Sequence, residues 1–401
     1  MKNQQTWVVS QLGAREHYAV ARALCQQDRL LTLVTDAWVR PGSPWRLISP
    51  RLAERFHTDL PRRLVHAFNA STVRFEAQAK LNNVAGWGVI TQRNNWFQHH
   101  SLRMLEGLKL VHGARPTLFA YSYTALGLFK WAKSRGWRTV LGQIDGGIEE
   151  EALISVLRRR AKVPTGQYAP PPVGYWSAWQ DECGLADRIV VNSEWSRSLL
   201  EKAGVAPSKL AVIPLAYEPH HSGAWPPRQY PARFDGKRPL RVLFLGQVGL
   251  RKGVAELLQA ARALAKQPIE FRLVGTDVDG MGLNRQASTN VTWIGPVTRS
   301  ETRRYYLEAD VFIFPSHSDG FGLTQLEAFA HGLPVIASRS CGDVVADGIN
   351  GRLLERVDAH AIEQILTFLV SSPQTLQQWA GKVVIDEKFS LESVGVQLSI
   401  L

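Results

Sequence analysis

The sequence predicts an α/β protein of two domains, each a parallel sheet wrapped by crossover helices. Three observations carry this. A chain of 401 residues exceeds what one hydrophobic core usually serves. Short apolar, β-branched runs alternate with longer helical patterns along its whole length. Midway, the stretch YEPHHSGAWPPRQYPARFDGKRP (217–239) breaks that alternation with proline, glycine and polar residues, which is linker chemistry.

The elements follow in order. Strands are expected at 7–10, 30–36, 117–122, 138–144, 188–193 and 210–215, then at 240–246, 271–275, 291–295, 311–316 and 334–338. Most are continuous apolar runs, as strands buried on both faces should be. Helices fill the gaps, for example Val254–Ala265 and Thr324–Ala330. The expected organisation is a first domain over 1–222, a linker at 223–237, a second domain over 238–385, and a helical tail, 386–401, returning to the first domain.

Composition narrows the class. Apolar residues make up 45% and charged residues 20%, ordinary for a folded soluble domain. No apolar run reaches the length of about 20 residues that a membrane-spanning helix needs. Trp7–Val9 reads as a first strand and not as the core of a signal peptide. Cys25, Cys183 and Cys341 are odd in number and far apart, which fits reduced core thiols and a cytoplasmic location.

The net charge of +12 is lopsided, with 28 basic against 17 acidic residues in 1–225 and 19 against 18 in the rest. Arg40, Arg46, Arg51, Arg55, Arg62 and Arg63 are interleaved with Trp45, Leu47, Ile48, Leu52, Phe56 and Leu64. Such a segment either rests on an anionic membrane surface or forms a solvated helix pair. No recognisable nucleic-acid module accompanies the charge, so nucleic acid is not an expected partner.

Three segments carry chemistry. In FPSHSDGFGLTQLEAFAHGLPVIAS (314–338) a strand leads through a Gly-rich loop into a helix. Gly320 and Gly322 let backbone approach a ligand, and the amides of Phe321, Gly322, Leu323 and Thr324 sit where phosphate is favoured. Asp319 and Glu327 flank that stretch, placed to hold hydroxyls of a long polar ligand. In LFLGQVGLRKGVAELLQA (243–260), Gln247, Arg251 and Lys252 lie on a loop at a strand's carboxyl end, a position suited to a diphosphate. Gly13 marks the first strand-to-helix turn, where the backbone can approach a donor phosphate, though without a dinucleotide fingerprint. Asp277-Val278-Asp279 reads as a turn and not as a metal-binding pair. The adjacent pairs His99-His100 and His220-His221 lack helical ligand spacing and read as surface residues, so no metal site and no cofactor are expected.

Together these segments resemble the GT-B glycosyltransferases of the retaining type, glycosyltransferase family 4, strongly over 240–350 and more weakly before it. The resemblance implies two Rossmann-like domains facing across a cleft, a nucleotide-sugar donor as substrate, and metal-independent transfer. It implies that Asp319, in place of the usual Glu, lies beside the donor sugar and that Glu327 binds the ribose. Lys252 takes the Lys position on the diphosphate, Gln247 replaces the usual Arg, and Arg251 compensates in part. WIGPV (293–297) implies base contacts at Pro296 and Val297.

The first domain departs from the pattern. Where many members carry a sugar-facing His, VLGQIDGGIEEEALI (140–154) offers Gln143 and Asp145. Asp145 either takes the sugar-facing role or caps the Gly-rich turn, and Glu149 and Glu150 are acceptor-side candidates or helix-start acids. This region resembles a subgroup of bacterial surface-polysaccharide enzymes, which implies a glycan or polyprenol-linked acceptor at the inner face of the cell membrane. Two other readings stay open at this point: a sugar-nucleotide epimerase or phosphorylase of related fold, and a basic binding protein without chemistry.

Overall fold

A computed structural model describes residues 5–49, 52, 54–110, 113–163, 169–219, 227–280, 282–283 and 287–401. The first sheet holds β1 (Trp7–Gln11), β2 (Leu30–Thr35), β3 (Val65–Ala67), β4 (Thr117–Tyr121), β5 (Arg138–Gly142), β6 (Arg188–Val191) and β7 (Leu210–Val212). Its order is β3-β2-β1-β4-β5-β6-β7, parallel throughout. The second holds β8 (Leu240–Leu245), β9 (Ile269–Val274), β10 (Val291–Gly295), β11 (Val311–Phe314), β12 (Val335–Ser338) and β13 (Gly351–Leu354). Its order, β10-β9-β8-β11-β12-β13, is again all parallel. Both windings are Rossmann-like.

The apolar runs explain the layering. Successive side chains of a strand point to opposite faces, and here both faces are apolar. Val9, Leu33, Phe119 and Val140 pack on one side of the first sheet, while Val8, Val34, Leu118 and Leu141 pack on the other. In the second sheet Val242, Phe244 and Ile313 face one core, and Leu243, Phe312 and Phe314 face the other. Helices must therefore cover both faces. The order reverses between β1 and β4 and between β8 and β11. At such switch points the loops leaving the strands' carboxyl ends diverge and open a crevice.

The C-terminal helix Leu391–Ser399 does not stay with the second domain. Leu391, Val394 and Leu398 join the core of the first, and the helix lies along the helix Ala19–Gln26. A Cβ on Gly395 would sit 2.6 Å from Gln27 Nε2 and 3.3 Å from the Ala23 carbonyl, so a larger residue would displace the Gln27 side chain and press on the helix backbone. Phe389, two residues before Leu391, still belongs to the second domain, edge-on to Phe321. The outgoing crossing meets this return, since Tyr217 N–H donates to the Phe389 carbonyl over 2.8 Å. Of the linker, residues 220–226 lie outside the described residues, and with them His220-His221. Its described part is anchored to the second domain, where the Arg228 guanidinium donates to the carbonyls of Tyr306, Ala309 and His331.

Cys25, Cys183 and Cys341 are free thiols. Among the described residues no helix is long and apolar enough to cross a membrane. His100 differs from the surface reading. Its ring is partly buried against Trp96 and Phe68 and bonds Ser71 Oγ at 2.9 Å, because the helices 69–81 and 86–106 pack there; His99 is exposed.

Candidate active site

The second domain supplies its half from the loops after β8 and β11. Gly253 holds a left-handed turn with its Cβ position 1.9 Å from the Pro315 carbonyl, which fixes the β8 loop against the end of β11. Lys252 is thereby buried, 9% exposed. Its ammonium contacts the Asp319 carboxylate directly and lies 4.8 Å from the centre of the Phe314 ring. Burial and the neighbouring Arg251 pull that ammonium down to about 7, with Glu150 working the other way; the Asp319 contact also opposes the fall. Arg251 Nη1 donates to the Ser318 carbonyl at 2.8 Å and lies 3.3 Å from Glu150 Oε1. Gln247 is exposed and bonds nothing among the described residues.

The four loop amides read from the sequence are not equivalent. Phe321 N–H donates to Asp319 Oδ1 at 3.1 Å, and the Phe321 side chain is buried in the core. The amides of Gly322, Leu323 and Thr324 have no acceptor among the described residues. Gly322 is left-handed and packed on Phe314, whose ring a Cβ would meet at 2.6 Å. One turn on, Glu327 opens onto a cavity of about 410 Å³ lined by Tyr217, Arg299, Arg303, Tyr306 and His331. Tyr306 Oη donates to Glu327 Oε2 at 2.8 Å, and the His331 ring stacks on Tyr306 with centroids 5.1 Å apart. Pro296 and Val297 end the β10 segment just before Arg299, Pro296 exposed and Val297 packed on the second core.

The first domain faces this with the loops after β1, β4 and β5. Asp145 Oδ1 accepts from Tyr123 Oη (2.6 Å), Gln143 Nε2 (2.9 Å) and Gly147 N–H (3.0 Å). It therefore does cap the Gly-rich turn, yet Oδ2 keeps no partner among the described residues. Burial and Glu150 hold its pKa above the usual value. Glu150 accepts from Gly146 N–H at 2.9 Å and reaches across to Arg251, so both its oxygens are engaged. Glu149 pairs with Lys202 at 2.6 Å. Gly13 N–H donates to Asp36 Oδ1 at 2.9 Å, and Arg55 lies over Gly13 while pairing with Asp36; that amide is taken. Asp277 and Asp279 serve backbone amides of their own turn and of Leu250, and Asp279 also faces Arg158 at 3.4 Å.

The halves are in contact around this site. Ser193 and Ser196 hydroxyls donate to the Gly320 carbonyl at 2.7 and 3.3 Å, and Trp195 Nε1 donates to Ser318 Oγ at 2.9 Å. His17 meets Arg299 on the far side. His17 stands in a run of three left-handed residues, Glu16, His17 and Tyr18, and burial pushes the Glu16 carboxyl up to about 7. The sequence reading named none of Glu16, Tyr123, Tyr217, Arg299, Arg303, Tyr306 or His331. The nearest signal was the T-x-x-E capping box of Thr298 and Glu301, which marks a helix start beside the cavity.

Residues 239–372 match the family described as "Glycosyl transferases group 1". The second domain is matched along nearly its whole length by the group 1 glycosyltransferase family. Around this glycosyltransferase domain, similarity to curated proteins is partial. A D-inositol 3-phosphate glycosyltransferase of Streptosporangium roseum is 32% identical over 214 residues, 47% of this chain and 48% of its own length. An uncharacterized 41.2 kDa protein from the cps region of Klebsiella pneumoniae is 26% identical over 189 residues, 45% of this chain and 51% of its own. The chain spans about half the length of the curated relatives it matches. Whole-chain likeness appears in solved structures. Anabaena HepE, crystallised with UDP and glucose, superposes with TM-score 0.61 at 14% identity, covering 99% of this chain and 98% of its own. WaaG, a glycosyltransferase involved in lipopolysaccharide biosynthesis, gives 0.60 at 14% identity, covering 98% of both. The fold is GT-B.

Proposed function

We propose that the protein transfers a sugar, with retention, from a nucleoside diphosphate sugar to an acceptor hydroxyl in the cleft between its domains. The observation that carries this is the meeting of three unengaged amides (Gly322, Leu323, Thr324) with the Arg251–Lys252 pair, beside the cavity at Glu327. A diphosphate fits the first group, and a ribose fits a carboxylate fixed by Tyr306. HepE, bound to UDP in its crystals, supports a uridine nucleotide as the first donor to try.

In the transfer, the acceptor oxygen bonds the anomeric carbon while the bond from that carbon to the diphosphate breaks. The electron pair stays on the departing phosphate, and the acceptor's proton passes to that phosphate oxygen. Charge thus grows on the diphosphate, where Lys252, Arg251 and the loop amides stand ready without reorganising. Asp319, touching Lys252, lies beside the donor sugar, and Asp145 faces it from the other domain. These fixed cations do the work a divalent ion does elsewhere, so transfer is metal-independent. The test is a panel of nucleotide sugars with nucleoside diphosphate release as readout, run with and without EDTA. Release of one nucleoside diphosphate, slow with water alone, raised by acceptor and unchanged by chelator, is expected. Release abolished by EDTA and restored by magnesium would overturn the metal-free mechanism, and silence across the panel would overturn the transferase.

The acceptor we propose is a glycan or polyprenol-linked sugar at the cytoplasmic membrane face, a reading supported by the cps-region relative. The segment 40–48, which holds the turn Pro44–Leu47, exposes Arg40, Arg46, Leu47 (90% exposed) and Ile48 (55%). Arg55, paired with Asp36 over Gly13, drops out of this surface, and Arg51 lies outside the described residues. Binding to anionic vesicles is expected at low salt and should fade as salt screens it, with Arg40→Ser and Arg46→Ser weakening it. Indifference to vesicles at low salt would point to a soluble acceptor.

A further inference from the structure

Tyr123 stands at the first domain's switch point, in a conformation that tyrosine does not choose. Its φ is +72°, in the left-handed region where a Cβ crowds the following carbonyl. Such a conformation persists where its surroundings over-determine it, and here they do. Glu182, buried on the helix Tyr175–Leu185, accepts three backbone N–H bonds from this one turn: Tyr123 (2.7 Å), Ala125 (2.7 Å) and Leu126 (3.0 Å). The same helix lays the Tyr175 ring flat on the Tyr123 ring, centroids 5.2 Å apart and planes 18° from parallel. Trp176 closes its edge. A phenol held by its backbone and by its face has one direction left for its hydroxyl, and that direction ends on Asp145 Oδ1 at 2.6 Å.

We propose that Tyr123, clamped by Glu182, is a positioning residue for the reaction: it fixes Asp145 so that Oδ2 faces the donor sugar, and it keeps that carboxylate ionised. The inference rests on the proposed role of Asp145. Its second support is Gln143, which grips the same Oδ1 and is itself aimed by Trp179 Nε1, donating to Gln143 Oε1 at 3.0 Å. With Oδ1 saturated by three donors, the carboxylate cannot rotate, and Oδ2 is the oxygen left for the cleft. Ile144, the next residue back, approaches the donor loop, its carbonyl 3.2 Å from the Cβ position of Gly320.

Ionisation needs this help. Asp145 shares its surroundings with Glu150, Glu151, Tyr175 and Arg15. Burial and Glu150 favour the protonated acid, whereas the Tyr123 hydroxyl, the Gly147 amide and Arg15 favour the anion. An anion at this place stabilises the positive charge that spreads over the sugar ring as the glycosidic bond breaks. Glu182, whose carboxyl burial pushes up to about 7, serves the turn and not the substrate.

The test is Tyr123→Phe, which removes one hydroxyl and leaves the ring to stack. Release of nucleoside diphosphate from the donor identified by the panel, with water as acceptor, is measured against pH, with Asp145→Asn in parallel. For a group that works as an anion, activity is lost as pH falls through its pKa. Loss of a donor to the anion raises that pKa, so the acidic limb of kcat should move upward by about one pH unit, on the order of tenfold in rate on that limb. The donor KM should stay within about twofold. Asp145→Asn should remove most activity at every pH. If the Tyr123→Phe profile superimposes on the wild type while Asp145→Asn is inactive, Tyr123 has no positioning role and the reading of Asp145 stands. If Asp145→Asn keeps wild-type rates, the reading of Asp145 fails and takes this inference with it. A matched loss at all pH values in Tyr123→Phe, without movement of the limb, also overturns it.

Discussion

Replacing Lys252 with methionine is expected to slow transfer by about 10²–10³-fold while the protein remains folded. Methionine keeps the stem that fills the space beside Phe314 and removes only the charge. The charge is what the departing diphosphate needs, because it grows there in a site where Lys252 is 9% exposed and water screens little. Arg251 is a poor substitute, being shared with Glu150 and the Ser318 carbonyl. Alanine in place of methionine would confound the reading, since it also opens a cavity next to Asp319. Nucleoside diphosphate release and a melting curve on the same preparation check the expectation. Turnover within threefold of wild type, in a protein that melts normally, would remove Lys252 from the mechanism.

The second large effect is expected at a residue with no side chain. Gly320 lies where the donor loop meets the first domain, with Ser193 and Ser196 on its carbonyl and the Ile144 carbonyl 3.2 Å from its Cβ position. A Cβ there is already tight against the Ile144 carbonyl, so the two further methyls of a valine press the halves apart. Misplacement by about 1 Å costs on the order of 100-fold in rate, and that is the loss expected in kcat/KM for Gly320→Val. Nucleotide binding, which uses second-domain groups, should survive, and small-angle scattering should show a more open particle. Normal turnover with unchanged scattering would mean that this closed contact is not the working geometry.

How much of this was legible beforehand depends on how local the signal is. Eleven strands could be read because most are runs of apolar residues long enough to be buried on both faces, and the exceptions, such as the edge strand β10, still carry β-branched and aromatic residues between turn signals. The two that escaped, β3 and β13, are three and four residues at sheet edges, broken by the exposed His66 and Arg352; edge strands need less apolar sequence. The donor-side loops were legible because their glycines, Arg251, Lys252 and Asp319 are contiguous in the chain. Tyr123 and Glu182 were not, because their partnership spans 59 residues and neither residue type announces a clamp. By sequence Glu150 is either an acceptor-side candidate or a helix-start acid, and sequence has no means of showing that its carboxylate also pairs with Arg251 of the other domain. Gly13 was correctly placed at the first turn, but the Asp36 that occupies its amide lies 23 residues on.

The return of helix Leu391–Ser399 has a consequence for the order of assembly. Domains of a nascent chain generally fold as they emerge, the N-terminal one first. Here that sequence is blocked at its last step, because Leu391, Val394 and Leu398 fill the core around Trp7, Leu24 and Leu33. Until synthesis has passed Leu398, the first sheet waits with part of one apolar face uncovered. The glycosyltransferase domain, whose core is complete once Phe389 has emerged, is therefore able to mature before the domain that precedes it in the gene.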